Sequence, residues 1–267
     1  MNASSFWIGV AVLLGVVFLY NLFFVLFYES FLFQGEPLSE DYKFSFDFQY
    51  EEVVLSPEPQ VALHGIHLKS DSSKGIVIYF HGNRGNVSRW GLVAEQIRQY
   101  GYDVLLMDYR GYGKSHGERS EEALYRDANF IYDYAIESSQ QPNVIIFGRS
   151  LGSAIATKLA LDKSPDQLIL ETPMTRIRDV VPLLYRLLIY KPWMKYEFDS
   201  ASRIEAITCP ITVFHGTDDA IVPYELGKSL FDQISHSNKK LVTINQGKHN
   251  NLDTFESYQQ AIGRILR

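Results

Sequence analysis

The residues best able to do chemistry each follow a short apolar run. Val144-Ile145-Ile146-Phe147 leads into Gly148-Arg149-Ser150-Leu151-Gly152. A serine hydroxyl attacks a carbonyl effectively only when a neighbouring base accepts its proton. It must also stand clear of the chain that carries it. A Gly-x-Ser-x-Gly turn between a strand and a helix meets that need. The small flanking residues let strand and helix approach, while the serine takes a sharp, strained corner. The amide of Leu151, at the helix start, can then face a developing oxyanion. The chemistry this predicts is acyl transfer through Ser150.

A base and an orienting acid come from later turns. Ile211-Thr212-Val213-Phe214 is followed by His215-Gly216-Thr217-Asp218-Asp219-Ala220-Ile221-Val222-Pro223. Leu241-Val242-Thr243-Ile244 is followed by Asn245-Gln246-Gly247-Lys248-His249. Asp219 is the expected acid, and Asp218 a turn residue whose carboxylate bonds local amides. Glu171, after Leu168-Ile169-Leu170, is the alternative acid. Of the histidines beyond Asp219, His236 sits in a polar loop ahead of a strand, at the wrong end of the sheet. His249 lies just past a strand and opens a helix, so it is the expected base. An acid holding an imidazole that serves a serine is the arrangement nucleophilic acyl transfer requires. Upstream, Ile76 to Phe80 leads into His81-Gly82-Asn83-Arg84-Gly85-Asn86. This glycine-containing turn can supply a second oxyanion amide, from Asn83. His81 is expected to hold the loop rather than transfer protons.

These turns need a scaffold that ends its strands at one rim. Glu51 to Leu55 and Ala62 to Leu68 read as a hairpin around Pro57 and Pro59. Ile76–Phe80, Val104–Met107, Val144–Phe147, Leu168–Leu170, Ile211–Phe214 and Leu241–Ile244 read as buried strands. Between and after them, Arg89–Tyr100, Ser120–Glu137 (Ser120 as N-cap), Leu151–Leu161, Tyr224–Ile234 and Asn251–Leu266 read as helices. Continuous apolar strands separated by helices predict an α/β fold with a mostly parallel sheet covered on both faces. Ligands in such sheets bind beyond the carboxyl ends of the strands. Pro173 to Arg203 interrupts the rhythm and reads as a small cap. Its Arg176–Lys195 part holds five basic residues against Asp179, a solvated basic face or a lid that touches lipid.

With these residues in place, the chain resembles the α/β-hydrolase superfamily from about residue 48 to 267. The resemblance rests on His81-Gly82-Asn83-Arg84-Gly85-Asn86, Asp108-Tyr109-Arg110-Gly111-Tyr112-Gly113-Lys114-Ser115, Gly148-Arg149-Ser150-Leu151-Gly152, Gly216-Thr217-Asp218-Asp219 and Gly247-Lys248-His249-Asn250. It is most similar to the small membrane-anchored abhydrolase-domain serine hydrolases, some of which are esterases or protein depalmitoylases. The resemblance implies nucleophile Ser150, acid Asp219, base His249 and oxyanion amides from Asn83 and Leu151. It implies cleavage of a carboxylic ester or thioester in a small-molecule or lipid-like substrate. A serine aminopeptidase or amidase would use the same triad, and a silent hydrolase fold acting as an interaction module is the non-enzymatic reading.

Residues 1–28 contain no Lys, Arg, Asp or Glu. Phe6 to Tyr28 is almost wholly apolar, and as a helix rising ~1.5 Å per residue it spans roughly 34 Å, enough for a hydrocarbon core of ~30 Å. A cleaved signal peptide would want a preceding basic residue, a shorter run and a small-residue cleavage site. Residues 1–28 are therefore expected to be a single-pass membrane anchor, 29–47 a linker and 48–267 the hydrolase domain, with its cap at about 173–203. The remaining composition narrows the classes. A formal charge of −6 gives no basic field for nucleic acid. A single cysteine, Cys209, allows neither an internal disulfide nor a cysteine zinc cluster. Gly113-Lys114-Ser115 lacks the leading glycine of a phosphate loop, since position 108 is Asp108. No metal-ligand pattern of the H-E-x-x-H kind occurs, and the predicted reaction needs no cofactor.

Overall fold

The computed structural model describes residues 3–139, 143–181 and 194–266. In chain order it contains helix α1 (Ala3–Leu32), β1 (Gln34–Gly35), β2 (Glu51–Leu55), β3 (Leu63–Leu68), β4 (Ile76–Phe80), β5 (Arg84–Gly85), α2 (Val87–Arg98), β6 (Asp103–Met107), α3 (Glu121–Ser138), β7 (Val144–Arg149), α4 (Leu151–Lys163), β8 (Gln167–Glu171), β9 (Ile211–Gly216) and β10 (Lys239–Ile244). Further helices run Tyr224–Asp232 and Glu256–Ile265. The eight-stranded sheet has the order β10-β9-β8-β7-β4-β6-β3-β2. Its pairs are parallel except β2 with β3 and β3 with β6. This is the mostly parallel sheet that the apolar runs predict.

Burial explains why the central strands are apolar throughout. Ile76, Ile78 and Phe80 pack on one face with α3 and α4, through Leu124, Ala128, Ala154 and Ile155. Val77 and Tyr79 pack on the other with α2 and the last helix, through Trp90, Ala94 and Ile262. Leu105 and Met107 alternate with Val104 and Leu106 in the same way. The period-2 side-chain alternation of a strand therefore fills two cores, one on each face.

Capping sets the helix starts. The Ser120 side chain accepts from the amide of Ala123, and Asn86 caps α2 by accepting from Ser88. The last helix departs from expectation. In place of one helix over Asn251–Leu266 there is a 3₁₀ turn, Leu252–Thr254, then extended Phe255, then Glu256–Ile265. Asn251 is the reason: its side chain accepts from the Lys248 amide at 2.7 Å and its carbonyl takes the Thr254 hydroxyl at 2.8 Å. These local bonds compete with a continuous helical ladder.

The amino-terminal region differs more. Helix α1 continues past residue 28 through Glu29 to Leu32. The stretch expected to be a linker then engages the domain at once: β1 pairs in parallel with β5, Gln34 against Arg84 and Gly35 against Gly85. The Leu38 amide donates to the Gly113 carbonyl at 2.8 Å. Its local mix of charges, glycine and proline carries no sign of this, because the partners lie far along the chain. Of the expected cap, 182–193 lies outside the described residues, and with it Arg186 and Lys191. Arg176 pairs with Asp199 at 3.0 Å and Lys195 with Glu29 at 2.9 Å.

Candidate active site

Ser150 sits between β7 and α4 with φ 52 and ψ −117. A residue with a Cβ avoids that region unless the surroundings impose it. Here two close approaches impose it. A Cβ on Gly152 would lie 2.1 Å from the Phe80 carbonyl oxygen, and one on Gly148 would lie 2.5 Å from the Cβ of Ala156. The helix thus descends onto the strands where only glycine fits, and the serine between them is turned outward.

The turns after β9 and β10 interlock. Thr217 donates to the Ile244 carbonyl at 3.0 Å and Asp218 to the Gly247 carbonyl at 2.9 Å. A Cβ on Gly216 would lie 2.1 Å from the Gly247 oxygen, so the two backbones touch. That contact brings Asp219 and His249 together. His249 Nδ1 lies 2.8 Å from Asp219 Oδ2, and His249 Nε2 lies 3.1 Å from Ser150 Oγ. A carboxylate only accepts, so Nδ1 carries the proton and Nε2 is free to accept the serine's. The other carboxylate oxygen of Asp219 accepts from the Ile221 and Val222 amides, each at 2.9 Å. All three side chains are buried. Burial alone would raise the Asp219 pKa, but hydrogen bonds from His215 and His249 outweigh it and hold the carboxyl far below the usual carboxylate range.

The remaining predicted residues fall as follows. Asn83 and Leu151 line the same cavity as Ser150. The Asn83 carbonyl is held by the Gln34 amide and the Tyr112 hydroxyl, both at 2.8 Å. His81 is buried among Trp90, Tyr109 and Tyr112 and donates from Nδ1 to the Gly82 carbonyl at 2.7 Å. Asp218 accepts from the Thr217 hydroxyl. Glu171, the alternative acid, is engaged elsewhere. Cys209 is buried, and burial pushes its thiol up to about 11. Among the described residues there is no cluster suited to a metal. The cavity beside Ser150 measures about 420 Å³ and also takes in Met174, Ile221, Val222 and Arg178.

Sequence reasoning passed over Arg149, which fills a variable position of the serine turn. Its guanidinium is buried, pairs with Glu171 at 3.2 Å and donates to the His249 carbonyl at 3.1 Å. Glu171 in turn accepts from the Tyr258 hydroxyl at 2.7 Å. Burial opposes the Arg149 charge, but Glu171 more than compensates and its pKa is raised. The available signal was a lone arginine closing an otherwise apolar strand. The pair ties the loop of His249 to the sheet beneath Ser150. Arg149→Met strands a buried carboxylate, a change that typically costs ~3–5 kcal/mol. Thermal denaturation of Arg149→Met should show that loss. Adding Glu171→Gln should recover part of the stability but not the hydrolysis rate, because His249 stays untethered.

Comparison with known proteins agrees with this architecture. A Pyrococcus furiosus esterase superposes with a TM-score of 0.70 at 19% identity, over 88% of this chain and 97% of that one. A Paleococcus ferrophilus monoacylglycerol lipase gives 0.60 at 17% identity, over 82% and 98%. Both are α/β-hydrolase folds, and so is this chain. The Lysophosphatidylserine lipase ABHD12 of Danio rerio is 35% identical over 187 residues, 62% of this chain and 49% of that protein. The chain thus spans about half the length of the ABHD12 relatives it matches. The Uncharacterized membrane protein YNL320W of Saccharomyces cerevisiae is 29% identical over 226 residues, covering 81% of this chain and 79% of that one. The family model for Hydrolase_4, described as serine aminopeptidase, S33, matches residues 71–199 and 198–256. The chain therefore belongs to the Hydrolase_4 (serine aminopeptidase, S33) family of α/β-hydrolases.

Proposed function

We propose that this protein is a membrane-anchored serine hydrolase that cleaves carboxylic ester or thioester bonds of lipid-like acyl substrates. The observation that carries the reading is the hydrogen-bonded series Asp219–His249–Ser150 at the wall of an apolar cavity. His249 Nε2 takes the Ser150 proton as Oγ attacks the acyl carbon. Asp219 holds the imidazole tautomer and stabilises the imidazolium. The amides of Leu151 and Asn83 receive the oxyanion; among the described residues neither donates to a protein acceptor. Losing one such donor typically costs ~10²–10³ in rate. His249 then protonates the leaving group, and water repeats the sequence on the acyl-enzyme.

The lining favours esters over peptides. An aminopeptidase must hold a substrate ammonium, for which a carboxylate is the natural partner. Among the described residues, the charged one lining this cavity is Arg178, a cation, and none is Asp or Glu. Helix Ser4–Leu32 is long and apolar enough to cross a membrane, and we assign it as a single-pass anchor, with the hydrolase domain from residue 48. The names of the ABHD12 and yeast relatives accord with a lipase and with a membrane protein. The test is hydrolysis by the full chain in detergent micelles, using matched aryl esters, acyl thioesters and aminoacyl arylamides. Turnover of esters or thioesters with at least ~100-fold lower kcat/KM on arylamides is expected, a gap of about 2.7 kcal/mol at the transition state. Preference for the arylamides would overturn the ester reading.

A further inference from the structure

Resting on the serine-hydrolase reading, we propose that α1 is a wall of the acyl-binding site as well as an anchor, and that the acyl chain lies along its phenylalanine face. Phe23, Phe24, Phe27, Tyr28, Phe31 and Leu32 line the same cavity as Ser150 and Leu151. Their spacing, i, i+1, i+4, i+5, i+8, i+9, is one face of a helix. The face is apolar and mostly aromatic, which suits a hydrocarbon chain and offers little to a polar group.

Helix length accounts for why this stretch is free to do so. The 30 residues of α1 extend ~45 Å, against the ~30 Å that a bilayer core requires. About ten residues are in excess of the span. Phe23 to Leu32 is a segment of that size, and it lies at the domain end. The excess therefore stands at the membrane boundary, where one side of the helix meets lipid and the other the cavity. Phe27 and Phe31 are 46% and 64% exposed, as is Ile221 on the domain side at 54%. The rim of the site is thus apolar on both sides, open to a chain entering from lipid.

The helix is also locked in place, which a tether alone does not need. Tyr28 and Leu32 are buried. The Lys195 amide donates to the Tyr28 hydroxyl at 2.7 Å. Phe33 packs edge-on to Tyr196 at 4.9 Å, with the Arg119 guanidinium over its ring at 4.0 Å. The Asn83 side chain donates to the Phe31 carbonyl at 3.4 Å, and the Gln34 amide to the Asn83 carbonyl at 2.8 Å. The end of the helix is bonded to the very loop that the mechanism uses for an oxyanion amide.

The test uses the full chain in detergent micelles and aryl esters from acetyl to palmitoyl. Phe24→Ala and Phe27→Ala alter the cavity face; Leu26→Ala, on a residue 63% exposed and outside the cavity lining, is the control. Expected is a drop of about tenfold in the palmitoyl-to-acetyl ratio of kcat/KM for each Phe variant, the size of discrimination that a methylene or two in an apolar pocket provides. Fluorophosphonate labelling of both Phe variants reports a folded site, and Leu26→Ala should keep acetyl ester turnover within about twofold of the parent. The Leu26→Ala ratio should not move. An unchanged ratio in both Phe variants, or an equal drop in Leu26→Ala, would overturn the proposal. A parent chain that neither labels nor hydrolyses any ester fails differently: it removes the hydrolase reading itself.

Discussion

Ser150→Ala should abolish both ester hydrolysis and labelling by a fluorophosphonate probe, lowering kcat by about 10⁴–10⁶. The substitution removes one hydroxyl whose protein partner is His249 Nε2 at 3.1 Å. It leaves the backbone strain at φ 52 as it was, because alanine keeps the Cβ. The turn itself is held by Gly148, Gly152 and the Ser150 amide, which donates to the Glu171 carbonyl at 2.9 Å. The melting temperature should therefore stay close to that of the parent chain. Loss of labelling with an unchanged melting curve separates a missing nucleophile from a missing fold. Labelling that persists in Ser150→Ala would show that another residue reacts, and the assignment of Ser150 would fall.

Asp219→Asn is expected to lower kcat by about 10⁴. The carboxylate accepts on both sides: His249 at one oxygen, the Ile221 and Val222 amides at the other. An asparagine has one accepting oxygen and one donating amide, so it cannot satisfy both. If its oxygen stays with the two backbone amides, its NH₂ faces His249 Nδ1. The imidazole then moves its proton to Nε2, where it can no longer accept from Ser150. His215 adds a second effect, since its Nε2 lies 3.4 Å from Asp219 Oδ2 and 2.9 Å from the Val222 carbonyl. That ring is fully buried and would also meet the NH₂ group.

The same substitution has a pH signature. The folded Asp219 pKa is depressed below its ordinary 3.8. Its ionised form therefore stabilises the fold fully above the unfolded value. That contribution falls away as pH drops below 3.8 towards the lower folded value. Melting temperatures measured from neutral pH down to about pH 2 should fall less steeply for Asp219→Asn than for the parent. Parallel acid curves, together with retained turnover, would remove Asp219 from its assigned role.

Much of the scaffold was legible from local pattern. The runs Ile76–Phe80 and Val144–Phe147 are apolar at every position because each strand has a core on both faces. Such strands need helices between them, and the turns that follow them share one rim. Ser150, Asp219 and His249 stand in those turns, and in the structure they lie within hydrogen-bonding distance in series. Other features escaped the apolar pattern. Asn251 diverts the last helix through bonds of its own side chain and carbonyl. Residues 29–47 look like a linker by composition, yet β1 pairs with β5 some fifty positions away.

What the sequence determined by itself is the kind of the main-sheet strands and of most helices, with the polar residues at their ends, since periodic burial and turn chemistry act over a few neighbouring residues. What only the tertiary structure decided is which distant surfaces meet: Arg149 with Glu171 and the His249 carbonyl, and the phenylalanine face of α1 with the cavity at Ser150. Those contacts join segments far apart in the chain, and their free energy arises from closing space between packed elements, which no local window of residues contains.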